Sequence, residues 1–271
     1  MSKRKTLVLL LVLCSSIIFS QKNEISLVSW NIKDFGKTKN AEELNRIAEI
    51  VKEADIIAIQ EVVAGFGGAQ AVAKLSDILN RKGAQWDYAI SDPTISPKYT
   101  TERYAFIWKT HRIKIKDRGW LVTELDSAID REPFLLNFYI GNEKLTILNF
   151  HSRPYNKDPE NEIKALSNFI IESLSTRFII AGDFNMDEKE PIFDLLKSKG
   201  YQATITNQKT TLKRTCKRGE YLNYPIDNIF YSIEVKKIDG GVIDFVKLCN
   251  RIEQARKISD HIPVFLRFKI E

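Results

Sequence analysis

The chain has 271 residues, of which 44% are hydrophobic and 28% charged, the balance of an ordinary globular fold rather than a disordered chain. That length allows one large domain or two small ones. The formal charge of +6 falls to +3 when residues 1–20, with three basic residues and no acid, are set aside, so net charge alone does not mark a nucleic-acid binder.

Lys3, Arg4 and Lys5 precede an apolar run from Leu7 to Leu13, with Ser15, Ser16 and Ser20 after it. This is the pattern of a secretory signal peptide cut after Ser20, and the run is too short for a permanent bilayer span. It predicts a secreted or periplasmic protein without a stable membrane anchor, with residues 21–271 as one domain. A lipoprotein cut before Cys14 fits less well, because Leu13 is too large for the small-residue position. Export makes a disulfide between the two remaining cysteines, Cys216 and Cys249, plausible.

After the leader, Ile25 to Ile32 reads as a buried strand. Asn40 is placed to cap a helix over 41–53, where Leu44, Ile47, Ala48 and Val51 recur at helical spacing. A second apolar strand runs from Asp55 to Gln60. Gly65, Gly67 and Gly68 form a loop before a helix near 69–82. Strands are expected at 104–109, 112–116, 134–140 and 145–150, then a helix over 159–174 with Ile163, Leu166, Ile170 and Leu174 on one face. A strand at 177–181 ends in Gly182-Asp183-Phe184-Asn185. A short helix from Pro191, strands near 226–239 and a last strand over 262–268 complete the order. Helices set between strands predict an α/β fold of packed sheets with helices outside.

Eight polar residues fall at the ends of these strands: Asn31, Glu61, Glu102, His151, Asp183, Asn185, Asp227 and the Asp260-His261 pair taken as one. Each alone has a bland reading, a solvated strand end or a turn. Together they predict one polar rim that can serve as an active site. Two of the chain's three histidines stand there, and imidazole is the side chain that exchanges protons near neutral pH. His111, in a turn between two strands, is expected to be exposed and dispensable. Lys209, Lys213, Arg214, Lys217 and Arg218 cluster in a polar stretch, with Lys197 and Lys199 before it; a solvated surface and a phosphate-tracking patch weigh evenly.

Trp30-Asn31, Gln60-Glu61, Asn149-Phe150-His151, Gly182-Asp183-Phe184-Asn185 and Ser259-Asp260-His261-Ile262-Pro263-Val264 occur in this order. The set resembles the endonuclease/exonuclease/phosphatase superfamily. The Asn31–Lys39 segment, Glu102-Arg103-Tyr104 and Arg131-Glu132-Pro133 resemble its deoxyribonuclease I branch, over about residues 25–269. The resemblance implies a four-layer α/β sandwich, two packed mixed sheets flanked by helices, and divalent-metal-dependent hydrolysis of DNA with low sequence specificity by a monomer. It implies Mg²⁺, or else Ca²⁺ or Mn²⁺, on Glu61, Asn31 and Asp260, since hard cations take oxygen ligands. His261 would pair with Asp227 and His151 with Glu102, with His261 as base and His151 as acid. Asp183 and Asn185 would position the water and phosphate oxygens. Arg131, with Asn31, would bind a phosphate.

Two departures bear on substrate. Where the branch has an arginine that reads the minor groove, this chain has Val63 followed by Gly65-Phe66-Gly67-Gly68, and Tyr99 is displaced from the second carboxylate segment. A secreted phosphodiesterase of another branch, a sphingomyelinase or an inositol-polyphosphate phosphatase, fits the same histidine motifs. A non-catalytic binding module on the same scaffold is the third reading.

Overall fold

In the computed structural model, residues 24–97, 99–173 and 175–270 are described. The expected signal peptide lies outside them, as does Leu174. The strands are β1 (Glu24–Phe35), β2 (Ile56–Val63), β3 (Trp86–Ile90), β4 (Glu102–Lys109), β5 (Lys114–Ile115), β6 (Trp120–Leu121), β7 (Phe134–Ile140) and β8 (Glu143–His151). They continue as β9 (Phe178–Asp183), β10 (Gln202–Ala203), β11 (Leu212–Lys217), β12 (Glu220–Leu222), β13 (Asp227–Tyr231), β14 (Val235–Val242) and β15 (Val264–Ile270). The helices are α1 (Ala41–Val51), α2 (Phe66–Asn80), α3 (Pro159–Glu172), α4 (Asp194–Ser198) and α5 (Ile252–Ile258). Asn40 caps α1 as expected: its side chain accepts from Glu43 N while Glu43 Oε2 accepts from Asn40 N, both at 2.9 Å.

One sheet has the order β14-β15-β1-β2-β4-β3, the other β10-β13-β9-β8-β7-β5 with β6 on β7. Each holds one parallel pair, β1 with β2 and β8 with β9, among antiparallel neighbours. Strand alternation sorts side chains between layers. In β1, Leu27 enters the core between the sheets while Val28 and Trp30 face the core under α1 and α2. In β9, Ile179 and Ala181 face between the sheets while Phe178 and Ile180 face α3. The result is four layers, helix–sheet–sheet–helix, as expected. Phe106, Phe134 and Phe138 pack in the central layer with ring centroids 5.4–5.6 Å apart.

The same parity carries the polar residues. Leu27-Ser29-Asn31, Leu145-Ile147-Asn149-His151 and Ile179-Ala181-Asp183 each run along one strand face and end polar. The central core therefore opens, at one edge, onto the rim. Glu61 breaks the rule, because Ile56 and Ala58 are inward and parity would turn 61 outward. A register shift between Ile59 and Val62, with Glu61 at φ 59°, re-aims it.

The basic stretch at 209–218 is a hairpin arm, not a loop. β11 and β12 meet at Arg218-Gly219, both at positive φ, as a two-residue turn requires. Cys216 and Cys249 form the disulfide, with a Cα–Cα separation of 5.4 Å, and tie that arm to the turn before α5.

Candidate active site

Asp183 stands at the centre. It is 1% exposed, and a buried carboxylate persists only with partners. Its Oδ1 accepts from Asn185 N at 2.9 Å and its Oδ2 from Asn31 Nδ2 at 3.1 Å. His151 Nε2 lies 3.6 Å and His261 Nε2 3.8 Å from that same Oδ2. Two imidazoles, 110 positions apart in sequence, thus face one oxygen.

Each ring is held from behind. Both oxygens of Glu102 meet His151 Nδ1, at 3.0 and 3.1 Å. Both oxygens of Asp227 meet His261 Nδ1, at 3.0 and 2.9 Å. With a carboxylate on Nδ1, the proton on that nitrogen is fixed and Nε2 is the working atom. Strand geometry sets these pairs: β8 runs parallel to β9 with His151 opposite Asp183, and β13 runs antiparallel to β9 with Asp227 opposite Asp183. Gly182 is required here, since a Cβ on it would lie 1.8 Å from the Phe150 carbonyl oxygen.

The two rings differ in charge. Burial lowers His151 to about 4, and the Arg131 guanidinium adds to it, against the Asp183 and Glu61 carboxylates. Burial likewise raises Glu102 to about 7 although Arg131 pulls it down. Burial would also lower His261, but Asp227 and Asp183 outweigh it and raise that ring to about 10. Burial and the Asp227 carboxylate raise Asp183. At neutral pH His151 is the neutral ring and His261 the cation. Both rings meet two carboxylates; the difference is the Arg131 guanidinium beside the more deeply buried His151 and the pull of Asp227 and Asp183 on His261.

Asn31 and Glu61 adjoin this centre. Asn31 Nδ2 also donates to Glu61 Oε1 at 3.1 Å, and Glu61 Oε2 accepts from Asp34 N at 3.1 Å. Asn31 Oδ1 is buried without a protein partner. An orphaned oxygen beside a carboxylate is the donor chemistry of a hard cation, so these two residues fit the expected metal. Asp260 is the third expected ligand; its Oδ2 meets Arg256 at 3.3 Å and Lys33 at 3.8 Å. Asp183, Asp227 and His261 form a second close donor set, each already engaged in the pairs above.

A model of the endonuclease/exonuclease/phosphatase family matches residues 28–261, most of the chain. The chain belongs to that family. Among curated relatives, deoxyribonuclease-1-like 1 of Sus scrofa is 27% identical over 82% of this chain and 73% of its own. Deoxyribonuclease-1 of Oryctolagus cuniculus is 26% identical over 93% of this chain and 95% of its own. An endonuclease/exonuclease/phosphatase family protein from Bacteroides thetaiotaomicron shares the fold, with a TM-score of 0.68 at 17% identity, covering 92% of this chain and 98% of that one.

In this family member the motif arginine is tied into the protein. Arg131 is buried, its Nε donates to the His151 carbonyl at 3.1 Å, and its Nη2 to the Ser152 carbonyl. Its Nη1 faces Glu102 at 3.9 Å. The guanidinium braces the His151 loop. Asn185, at φ 49°, also serves that loop: its Nδ2 donates to the Ser152 carbonyl at 3.1 Å.

Sequence reasoning missed the supports. Glu162, wholly buried on α3, accepts from Asp130 N and Arg153 N, both at 2.6 Å, and from Arg153 Nε at 2.9 Å. Thr210 Oγ1 donates to Asp227 Oδ2 at 2.6 Å, and Ser259 Oγ donates to the Asn31 carbonyl at 2.6 Å. Glu162 sits on the face that carries Ile163 and Leu166 inward, which hinted at burial; a lone threonine in a polar stretch gives no signal. His111 is exposed, as expected.

Proposed function

We propose that this protein is a secreted, divalent-metal-dependent endonuclease that hydrolyses DNA phosphodiester bonds with little sequence preference. The carrying observation is the pair of carboxylate-backed imidazoles facing Asp183 Oδ2 at 3.6 and 3.8 Å, with Asn31 bridging to Glu61. The curated relatives named as deoxyribonucleases support DNA as substrate. The Cys216–Cys249 disulfide and the leader pattern support export. No helix among the described residues is long and apolar enough to cross a membrane.

Asn31 Oδ1 and Glu61 would hold the cation, with Mg²⁺ the expected ion. Bound there, the ion supplies charge neutralisation at the scissile phosphate. The chain's own groups handle the protons. Neutral His151 accepts a proton from water at Nε2, and Glu102 stabilises the cation that forms. The water oxygen bonds to phosphorus as the P–O bond to the leaving sugar oxygen breaks. His261, already cationic between Asp227 and Asp183, gives its Nε2 proton to that oxygen. Asp183, between the two rings, orients both and holds the water.

The test is nicking of a supercoiled plasmid by the folded protein with Mg²⁺ and with EDTA. Activity in Mg²⁺ alone is expected. His151→Ala and His261→Ala should each lower the rate about 10²–10⁴-fold, the worth of an acid–base group, while His111→Ala leaves it unchanged. Absence of cleavage at every metal condition, with turnover of sphingomyelin or an inositol polyphosphate instead, would move the protein to another branch.

A further inference from the structure

A cleft of about 570 Å³ opens beside the catalytic centre. Its rim carries two aromatic rings set in solvent: Tyr155 is 70% and Tyr224 62% exposed. Two exposed rings on one cleft offer paired faces for stacking. A cavity of this volume is in the range that holds a small flat ligand.

The cleft is joined to the chemistry on both sides. One wall is Asn185, whose N–H holds Asp183 Oδ1 at 2.9 Å and whose amide holds the Ser152 carbonyl next to His151. Tyr155 extends the segment that runs on from His151 through Ser152. The opposite wall is Tyr224, whose carbonyl accepts from Thr210 N at 2.8 Å and whose N–H donates to Thr211 Oγ1 at 2.8 Å. Thr210 in turn holds Asp227 Oδ2 at 2.6 Å. Tyr224 is thus anchored through backbone that also fixes the Asp227 carboxylate.

The lining selects the kind of group. Asp187 and Glu190 border the cleft, so a phosphate is repelled and the DNA backbone does not enter. Carboxylates accept from N–H donors and the Asn156 amide can both donate and accept, so this lining suits a group with an amino-bearing edge. An uncharged, planar, hydrogen-bonding ring beside a phosphodiester is a nucleobase. A base inside a duplex is stacked and paired, and cannot present its faces to tyrosines; an unpaired base can.

We propose that Tyr155 and Tyr224 form a subsite that stacks an unpaired nucleobase next to the scissile phosphate, making single-stranded DNA the preferred substrate over duplex. This rests on the nuclease reading above and adds the state of the strand.

The test uses the full chain in Mg²⁺ on three substrates: a single-stranded oligonucleotide, the same sequence as duplex, and bis(4-nitrophenyl) phosphate, which has no base. Wild type is expected to cut the single strand faster than the duplex. Tyr155→Ala and Tyr224→Ala should each lower kcat/KM on the single strand about tenfold, within the range of one lost base stack, with duplex and chromogenic rates held within about twofold. Tyr155→Phe and Tyr224→Phe should keep single-strand activity, because the ring face and not the hydroxyl does the stacking. A single-stranded probe carrying 2-aminopurine, added in EDTA, should be quenched by wild type and less by the alanine variants. Equal losses on all three substrates, or no loss on the single strand, overturns the subsite. Failure of the nuclease reading looks different: wild type turns over the chromogenic diester and no DNA of either form.

Discussion

The two histidines at the centre of this site have the same backing and opposite charge. His151 is buried and His261 partly buried, both carry a carboxylate on Nδ1, and both face Asp183. What separates them is the balance of charges: burial and Arg131 win over the carboxylates at His151, while Asp227 and Asp183 outweigh burial at His261. That difference has a consequence for stability. The folded value of His261, raised to about 10, lies above its unfolded value of about 6.5. A raised basic group binds its proton more tightly when folded, so its contribution is fully present below about 6.5 and is lost as pH climbs towards 10. In EDTA, stability of the wild type should therefore fall between about pH 7 and 9.5, and His261→Gln, which removes the titration, should flatten that limb. Urea midpoints across this window measure it. A wild-type curve no steeper than the variant's would mean that His261 is not held as a cation. Residue by residue, much of this centre was legible, because strand parity carries Asn31, His151 and Asp183 inward from the apolar Leu27, Ile147 and Ile179 four back. The bonds of Arg131 to the His151 and Ser152 carbonyls were not legible in this way. A guanidinium offers the same donors to a carbonyl as to a phosphate, and only the fold decides which it meets.

Among the elements, the long apolar strands were readable and the short polar pairings were not. β7 occupies the predicted span, and β1, β2 and β9 differ from theirs at the ends. Runs of buried β-branched residues carry that signal. The β11–β12 arm was read as a loop, because its lysines and arginines lack alternation and its pairing depends on Arg218-Gly219 turning back at positive φ. α5 also went unread: seven residues give too few turns for a period. The arm matters because Thr210, at its base, holds Asp227, and Arg256 of α5 donates to the Leu212 carbonyl at 2.9 Å. The disulfide closes 33 residues between the arm and α5. Constraint of an unfolded loop of that size predicts a loss of about 2–4 kcal/mol in the Cys216→Ser/Cys249→Ser variant. Urea unfolding of the two forms would measure this. Insensitivity of the wild type to reductant, with equal midpoints, would show that packing of α5 against β11 holds the arm without the bond.

At the scale of the whole molecule, two sheets built from distant parts of the chain meet through a shared apolar core and a few polar bridges. Asn31 and Glu61 come from the first sheet, and His151, Asp183 and Asp227 from the second. The bridge between them at the rim is Asn31 Nδ2, bonded at 3.1 Å to Glu61 on one side and to Asp183 on the other. Deeper in, Gln60 Nε2 donates to Asn149 Oδ1 at 2.6 Å across the same gap. A cation taken up by Asn31 Oδ1 and Glu61 binds donors brought together by folding, which an unfolded chain does not hold near each other. Such a ligand stabilises the fold by RT ln(1 + [L]/Kd), about 2.7 kcal/mol at a hundredfold excess over Kd. The melting temperature should rise with Mg²⁺ or Ca²⁺ in wild type. In Glu61→Gln the rise should be blunted, because a neutral amide is a weaker ligand for a hard cation than a carboxylate. Asp260→Asn separates two arrangements of the site. With Asp260 held by Arg256 and Lys33, the metal-linked rise should survive that change. A rise abolished equally by Glu61→Gln and Asp260→Asn would instead place all three oxygens on the ion, with Asp260 leaving its two cations when metal arrives.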